Sequence, residues 1–184
     1  MVESAVDAST AFGASKTLLT PAHREAVFKL VRDQHPTAIF EKLYDDATDG
    51  RTLAKFYEKV ANKGWTLTIV KAENKRIFGG FTTAEWEPVA YSADGIYKTD
   101  PHAFLFSVYN VSDVSKHPIT GADKKAIYCG SVSGKQIMFG NGELSITFDP
   151  EYYERSMALA GRDSYNLPER SHAPGCPELT GGVA

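Results

Sequence analysis

The apolar residues of this chain change their spacing at Gly64, and that change restricts the possible folds more than any other feature of the sequence. Before Gly64, the residues Leu53, Phe56, Tyr57 and Val60 recur at i, i+3, i+4 and i+7, a spacing that places their side chains on one face of a helix. After Gly64 the apolar residues alternate or form short runs, which is the pattern of strands. Helices followed by strands predict an α+β fold rather than alternating α/β units.

Two further helices are predicted in the N-terminal part. Thr20 supplies an N-cap oxygen and Pro21 suits the first helical position, so one helix is expected to begin here and to end at the pair His35 and Pro36. A short helix is predicted next, over residues 39–44. The chain length of 184 residues suits one domain, which we place at 17–184, after a small and polar lead-in over 1–16 that is expected to be disordered.

The second half of the chain predicts at least five short strands joined by tight turns. The run at 103–111 is apolar on both faces, so we expect a central strand that is buried on both sides. A proline-containing helix start at 149–151 and an irregular tail from 166 onward are also expected. The predicted architecture is a two-sheet antiparallel β-sandwich flanked by the N-terminal helices. The strands are predicted at 65–70, 77–83, 103–111, 126–130, 136–139 and 144–148.

Charge and composition exclude several classes of protein. The formal net charge of −3 gives no basic surface for nucleic acid, and no apolar run approaches the roughly 20 residues of a membrane helix. The first residues lack the apolar core of a secretory signal. The two cysteines, Cys129 and Cys176, are too few for a disulfide scaffold and fit a reducing compartment. We therefore expect a cytoplasmic protein that is not integral to a membrane.

The paired glycines of Arg76-Ile-Phe-Gly-Gly-Phe-Thr-Thr-Ala-Glu-Trp-Glu allow two interpretations. A phosphate-binding loop requires a lysine and a hydroxyl residue after the glycines and a helix that begins there. No lysine follows, and Trp86 stands where that helix should begin. The favoured interpretation is a strand in which Gly79 and Gly80 admit a bulky ring or a close backbone, with Phe78 and Phe81 beside them.

No residue cluster of the sequence predicts a cofactor, a metal site or a catalytic set. His172 and Cys176 are the only close His/Cys pair, and two ligands do not make a zinc site. Cys129 lies in an apolar strand pattern and is interpreted as a small buried hydrophobe. Cys176 lies in the tail and is the better candidate for oxidation. A triad assembled from distant residues stays open, although no nucleophile elbow is present.

The order of these features resembles the TLDc domain, the module of the oxidation-resistance proteins. The resemblance runs from about Thr17 to Gly182 and includes three specific segments. These are Ile77-Phe-Gly-Gly-Phe81, Tyr97-Lys-Thr-Asp-Pro-His-Ala-Phe-Leu-Phe-Ser107 and Phe139-Gly-Asn-Gly142.

The resemblance implies a two-sheet sandwich, a role in protection against oxidative stress, and a protein partner, the vacuolar proton-pumping ATPase, which would hold the chain at the periphery of endomembranes. It implies no agreed catalytic residues. The motif residues are therefore interpreted as structural: Phe78, Gly79, Gly80, Phe81, Trp86, Asp100, Phe104, Phe106, Gly140 and Gly142.

Two segments depart from the family pattern. Ala158-Leu-Ala-Gly-Arg-Asp-Ser-Tyr165 replaces a Ser-Asn-Leu-Gly-like segment. The family's last strand, which follows Gly-Gly, has no counterpart after Gly181 and Gly182, so a sheet edge is expected to be open to another chain.

Three functions stay open at this point. The first is a protein-interaction module. The second is an enzyme, either a thiol-dependent peroxide scavenger that uses Cys129 or Cys176, or a hydrolase. The third is a carrier with a groove between sheet and helices for a small ligand.

Overall fold

The computed structural model describes residues 7–12, 18–72, 76–90, 94–110, 113–132, 134–148, 157–158 and 164–167. Helices come first and strands follow, as the change of period at Gly64 predicted. The helices are α1 (Ala8–Phe12), α2 (Pro21–Arg32), α3 (Asp46–Asp49) and α4 (Leu53–Val60). The strands are β1 (Thr66–Lys71), β2 (Ile77–Thr82), β3 (Ile96–Thr99), β4 (Phe104–Asn110), β5 (Asp113–Pro118), β6 (Lys125–Cys129), β7 (Gln136–Phe139), β8 (Leu144–Thr147) and β9 (Met157–Ala158).

Threonine caps begin the two longer helices. Thr20 precedes α2 and accepts a hydrogen bond from the backbone amide of His23 at 3.3 Å. Thr52 precedes α4 and accepts from the amide of Lys55 at 3.2 Å. Each hydroxyl satisfies one of the amides that lack an intrahelical partner at a helix start. The helix predicted after Thr20 is confirmed, and it ends at Arg32, before the His35-Pro36 pair.

The strands form two antiparallel sheets. Sheet 1 has the order β1-β2-β4-β5, and sheet 2 has the order β3-β6-β7-β8-β9. The strands predicted at 65–70 and 77–83 are confirmed as β1 and β2, which pair antiparallel with Ile69 opposite Gly79. The predicted central strand is confirmed as β4, which lies between β2 and β5, and residues 104–108 of it are all buried.

Sheet 1 lies between two separate clusters of apolar side chains, because successive residues of a strand point to opposite faces. The helix-side core fills the space between sheet 1 and helices α1 and α2; it contains Phe12, Leu19, Val27, Phe28, Val31, Ile77, Phe81, Phe104, Phe106 and Val108. The inter-sheet core fills the space between the two sheets and takes the apolar face of α4; it contains Leu53, Phe56, Tyr57, Val60, Phe78, Trp86, Leu105, Ile127, Cys129, Ile137, Phe139 and Leu144.

The helix predicted over 39–44 is wrong. That segment has no helical structure, because its apolar side chains serve different cores and not one helix face. Phe40 stacks on Phe12 with ring centroids 4.9 Å apart, and its amide donates to Ala11. Leu43 and Tyr44 instead pack against the inter-sheet core.

The expectation of a disordered lead-in is wrong for part of 1–16. Residues Ala8–Phe12 form α1, and Asp7 supports its start by accepting from the amide of Thr10 at 2.8 Å. Ala11 and Phe12 are buried in the helix-side core, so burial of a few apolar residues orders a segment whose composition is small and polar. The rest of the lead-in, the helix start at 149–151 and most of the tail lie outside the described residues.

Within the described residues, no helix combines the length and the apolar character needed to span a membrane.

Candidate functional site

The paired glycines of β2 allow the two cores to approach the same strand. A Cβ atom at Gly80 would stand 2.5 Å from the Phe139 ring, which crosses from sheet 2. A Cβ at Gly79 would overlap the carbonyl oxygen of Thr68 and stand 3.0 Å from the Phe106 ring. Real Cβ contacts are not this short, so both positions require glycine. Rings of both cores therefore lie against bare backbone at these two glycines.

Trp86 is buried between the two sheets and is fixed at both ends of its indole. Its Nε1 donates to the Thr66 hydroxyl at 2.9 Å. Its rings meet Phe56 and Phe139 edge-on, with centroids 5.6 Å away in each case. A buried tryptophan requires such a hydrogen-bond acceptor, and the side chain is 0% exposed, so it is part of the packing and offers nothing to a ligand in solution.

Phe104 lies on the helix side of sheet 1 and is covered by an amine. Phe104 stacks on Phe81 with centroids 5.1 Å apart, and the Lys116 Nζ lies 4.2 Å from the Phe104 centroid. The same Nζ donates to the carbonyl of Leu30 at 2.7 Å, in the last turn of α2. The pKa of Lys116 is lowered, because burial lowers it more than the charge of Asp33 raises it. This lysine therefore links the end of α2 to the sheet.

Asp100 is a buried carboxylate whose ligands are groups of its own chain. It accepts hydrogen bonds from the Thr82 hydroxyl at 2.7 Å, from the Thr83 hydroxyl at 2.8 Å and amide, and from the amide of His102 at 2.9 Å. Burial raises the pKa of Asp100, but the hydrogen bonds from Thr82, His102 and Thr83 outweigh it, and the pKa is lowered. The carboxylate ties the end of β2 to the turn before β4.

Gly140 and Gly142 form the turn between β7 and β8, where both have positive φ angles of 69° and 102°. A side chain at Gly140 would also overlap the Glu143 carboxylate. That carboxylate is 0% exposed. It accepts from the amides of Asn141 at 2.6 Å and Ser164 at 2.8 Å, through different oxygens.

Glu143 is the residue that sequence reasoning missed. An acidic residue that follows a glycine turn is usually expected on the surface, and the partners of Glu143 at 164–165 lie far along the chain. Tyr165 completes the link, because its hydroxyl donates to the carbonyl of Ala126 at 2.7 Å. Burial, and then the charge of Glu143, raise the pKa of Tyr165. The Ser164–Leu167 segment is thereby held against sheet 2.

Cys129 is buried in the inter-sheet core and is 0% exposed. Burial raises the pKa of its thiol, so the thiolate that reacts with peroxides is disfavoured at this position. The interpretation of Cys129 as a small hydrophobe agrees with this environment. Cys176, the other redox candidate, lies outside the described residues.

The structure brings Ser115 and His117 together on β5, with 3.1 Å between the hydroxyl oxygen and Nε2. Nδ1 lies 3.2 Å from the carbonyl of Asn166. A carbonyl only accepts, so Nδ1 carries a proton, and in the neutral imidazole Nε2 then accepts from the Ser115 hydroxyl. This is the polarity of a nucleophile and its base, but His117 is only 7% exposed and also connects β5 to the Ser164–Leu167 segment.

Three further acidic or histidine side chains lie on the surface. Glu87 is exposed and pairs with Lys98 at 2.9 Å, and Glu85 and His102 are exposed. In the part of the chain that the structure describes, no three His, Cys, Asp or Glu side chains are placed to hold a metal ion.

Several large apolar side chains of the described residues are exposed. Ile39 is 71% exposed and Trp65 is 57% exposed. Trp65 contacts His35 with ring centroids 4.0 Å apart. On sheet 2, Tyr97 is 39% exposed; its ring lies under the Lys125 amine, and its hydroxyl donates to Asn141 at 3.1 Å.

Comparison with known protein families identifies the family to which this two-sheet chain belongs. The family model of the TLDc domain matches residues 12–172. The chain belongs to the TLDc domain family. A search of curated proteins found no match to this chain. The motif residues that lie in the described part of this TLDc domain are thus those that hold its two cores and its turns.

Proposed function

We propose that this TLDc domain is a protein-interaction module that protects against oxidative stress by binding the vacuolar proton-pumping ATPase at the cytoplasmic face of endomembranes. The observation that supports it most is the family match over residues 12–172, since the family suggests a function related to oxidative stress. The choice of this partner rests on the family and not on a contact in the structure, because fold alone does not determine function.

The chemistry of the described residues favours binding over catalysis. Asp100 and Glu143, the two buried carboxylates, are occupied by groups of their own chain. The rings of the motif are packed inside the two cores. A partner would therefore meet the surface, where exposed apolar groups such as Ile39 and Trp65 are available.

A binding assay tests the proposal directly. The full chain is immobilised, and the purified peripheral sector of the vacuolar ATPase is applied. We expect saturable binding that weakens at least about tenfold, equivalent to 1.4 kcal/mol, in Ile39→Asp or in Trp65→Ala. Glu25→Ala, at a side chain of α2 that is 45% exposed, is the control and should bind as the original chain does. Absence of binding at any concentration would refute the choice of partner.

A second experiment separates the interaction module from the thiol enzyme. Cells that express the chain are challenged with hydrogen peroxide and compared with cells that express Cys129→Ser with Cys176→Ser. We expect equal survival, because the Cys129 thiol is buried and its pKa is raised. Loss of protection in a variant that still folds would favour the peroxide scavenger instead.

A further inference from the structure

The outer edge of β1 carries backbone groups that have no partner among the described residues. The amide of Ala72 donates to the carbonyl of Arg76, and the register places Lys71 opposite Ile77. Hydrogen-bonded and non-hydrogen-bonded pairs alternate along an antiparallel ladder. It follows that Leu67, Ile69 and Lys71 direct their N–H and C=O groups away from β2. No backbone group of the described residues bonds to them there.

The other sheet edges are protected in ways that β1 is not. Strand β5 contains Lys116, ends in Pro118, and has the carbonyl of Pro118 bonded to the amide of Asn166 at 2.9 Å. Strand β3 has only four residues and an irregular register. Strand β9 has two residues.

In contrast, β1 has six residues, Thr-Leu-Thr-Ile-Val-Lys. It lacks a proline, its register with β2 is continuous, and its one charged residue, Lys71, is the last residue of the strand. Prolines, bulges and charges inside the strand are the devices that keep edges from pairing with other chains. Among the described edges, β1 is therefore the one best suited to add a strand.

We propose that a second copy of this chain pairs antiparallel with β1 and joins the two copies of sheet 1 into one continuous sheet. The two-fold axis passes Ile69, so that Ile69 faces its counterpart and Leu67 faces Lys71 of the other copy. The three outward residues of each strand then form about six backbone hydrogen bonds.

The side chains of β1 are compatible with this register. Ile69 meets an identical isoleucine, and Thr68 meets Val70, both of them β-branched pairs that stabilise neighbouring strands. Lys71 meets Leu67 and not a second lysine, so like charges are not opposed. An identical strand therefore satisfies both the pattern and the charge, which is the argument for a second copy over an unrelated peptide.

The test compares two substitutions at one residue. Lys71→Pro removes an outward N–H, while Lys71→Ala keeps it, and neither removes a hydrogen bond to β2 or a buried side chain. Sedimentation over a wide range of protein concentration should show the original chain and Lys71→Ala moving from 20.1 kDa toward twice that mass. Lys71→Pro should weaken the association at least about tenfold, because two interchain bonds are lost per dimer.

Amide hydrogen exchange locates the interface independently. The amides of Leu67, Ile69 and Lys71 should become protected as the protein concentration rises, while the amides of β5 should not change. A chain that stays monomeric at every concentration overturns the proposal. So does a dimer that Lys71→Pro leaves unchanged, or one that protects other amides only. None of these outcomes bears on the binding of the vacuolar ATPase.

Discussion

At the scale of single residues, the fold depends on positions where the atoms of one side chain exclude those of another. We expect Gly80→Ala to lower the free energy of unfolding by about 1–3 kcal/mol, because the added Cβ would stand 2.5 Å from the Phe139 ring. Urea denaturation measures the change. Gly121→Ala is the control, since its Cβ would meet only side-chain atoms, the end of the exposed Asp123 side chain and the Cγ of Lys124.

The pair Gly80 and Phe139 also permits a test of the cause. If the ring is what excludes the methyl group, Gly80→Ala should be less destabilising in a Phe139→Leu background than in the original chain. Equal losses in both backgrounds would mean that the backbone of β2, and not the ring, makes glycine necessary.

Asp100 gives a prediction about pH. Its pKa in the folded protein is lowered from 3.8. Between this lowered pKa and 3.8, the unfolded chain therefore binds more protons than the folded chain. The stability supplied by Asp100 is fully present above 3.8 and is lost as the pH falls through the folded pKa. Asp100→Asn should lower the free energy of unfolding by about 1–3 kcal/mol at neutral pH. Its loss of stability on acidification should also be smaller than that of the original chain.

Urea midpoints at neutral and acidic pH measure both effects of Asp100→Asn. Asp123→Asn, at an exposed position, should follow the original chain at both pH values. A variant that loses as much stability on acidification as the original chain would show that Asp100 does not supply the acid-labile part.

At the scale of elements, the sequence predicted the strands whose apolar residues alternate or run together, and it failed where neighbours decide. β3 and β5 were not predicted, because their exposed and charged residues give no apolar alternation. They are strands because β3 pairs with the edge of β6 and β5 pairs with the edge of β4. Likewise, the helix predicted over 39–44 fails because Phe40 bonds to α1.

Some residues of the candidate site could be predicted from their neighbours in sequence, and others could not. The glycines of β2 could be interpreted from their aromatic neighbours, since that information lies within a few residues. Two of the partners of Glu143 lie 21 and 22 residues away, and the His117 ring is bonded to a carbonyl 49 residues away. No local pattern contains such contacts, so these groups became visible only in the folded chain.

Glu143 makes the attachment of the Ser164–Leu167 segment testable. Its two oxygens accept from the amides of Asn141 and Ser164, and the amide group of a glutamine offers only one acceptor oxygen. We expect Glu143→Gln to speed the hydrogen exchange of the Ser164 amide while the amides of β4 keep their protection. Tyr165→Phe, which removes only the hydroxyl bonded to Ala126, should speed exchange less. Unchanged exchange in Glu143→Gln would contradict the attachment.

At the scale of the whole molecule, sheet 1 belongs to both cores, and this should make the described fold unfold as one unit. Phe104 and Phe106 face the helices, while Leu105 between them faces sheet 2. A strand cannot lose the packing on one of its faces and keep the packing on the other, since the same backbone carries both sets of side chains. Loss of either core is therefore expected to release the other.

Two probes can follow the layers separately. The far-UV signal of helices is weighted toward α2, the longest helix of the described residues, which covers the helix-side core, with a smaller part from α4 in the inter-sheet core. Trp65→Phe leaves Trp86 as the only tryptophan, and its fluorescence follows the inter-sheet core. In this variant we expect the two urea transitions to coincide, as a two-state transition requires.

Substitutions in either core should then act on the same transition. We test Phe28→Leu on the buried face of α2 and Ile137→Val between the sheets. Each substitution should shift the urea midpoints of its two signals equally to lower urea, with the slope unchanged. Two transitions, or a substitution that moves only the signal of its own layer, would show that the helices and sheet 2 are held to sheet 1 independently.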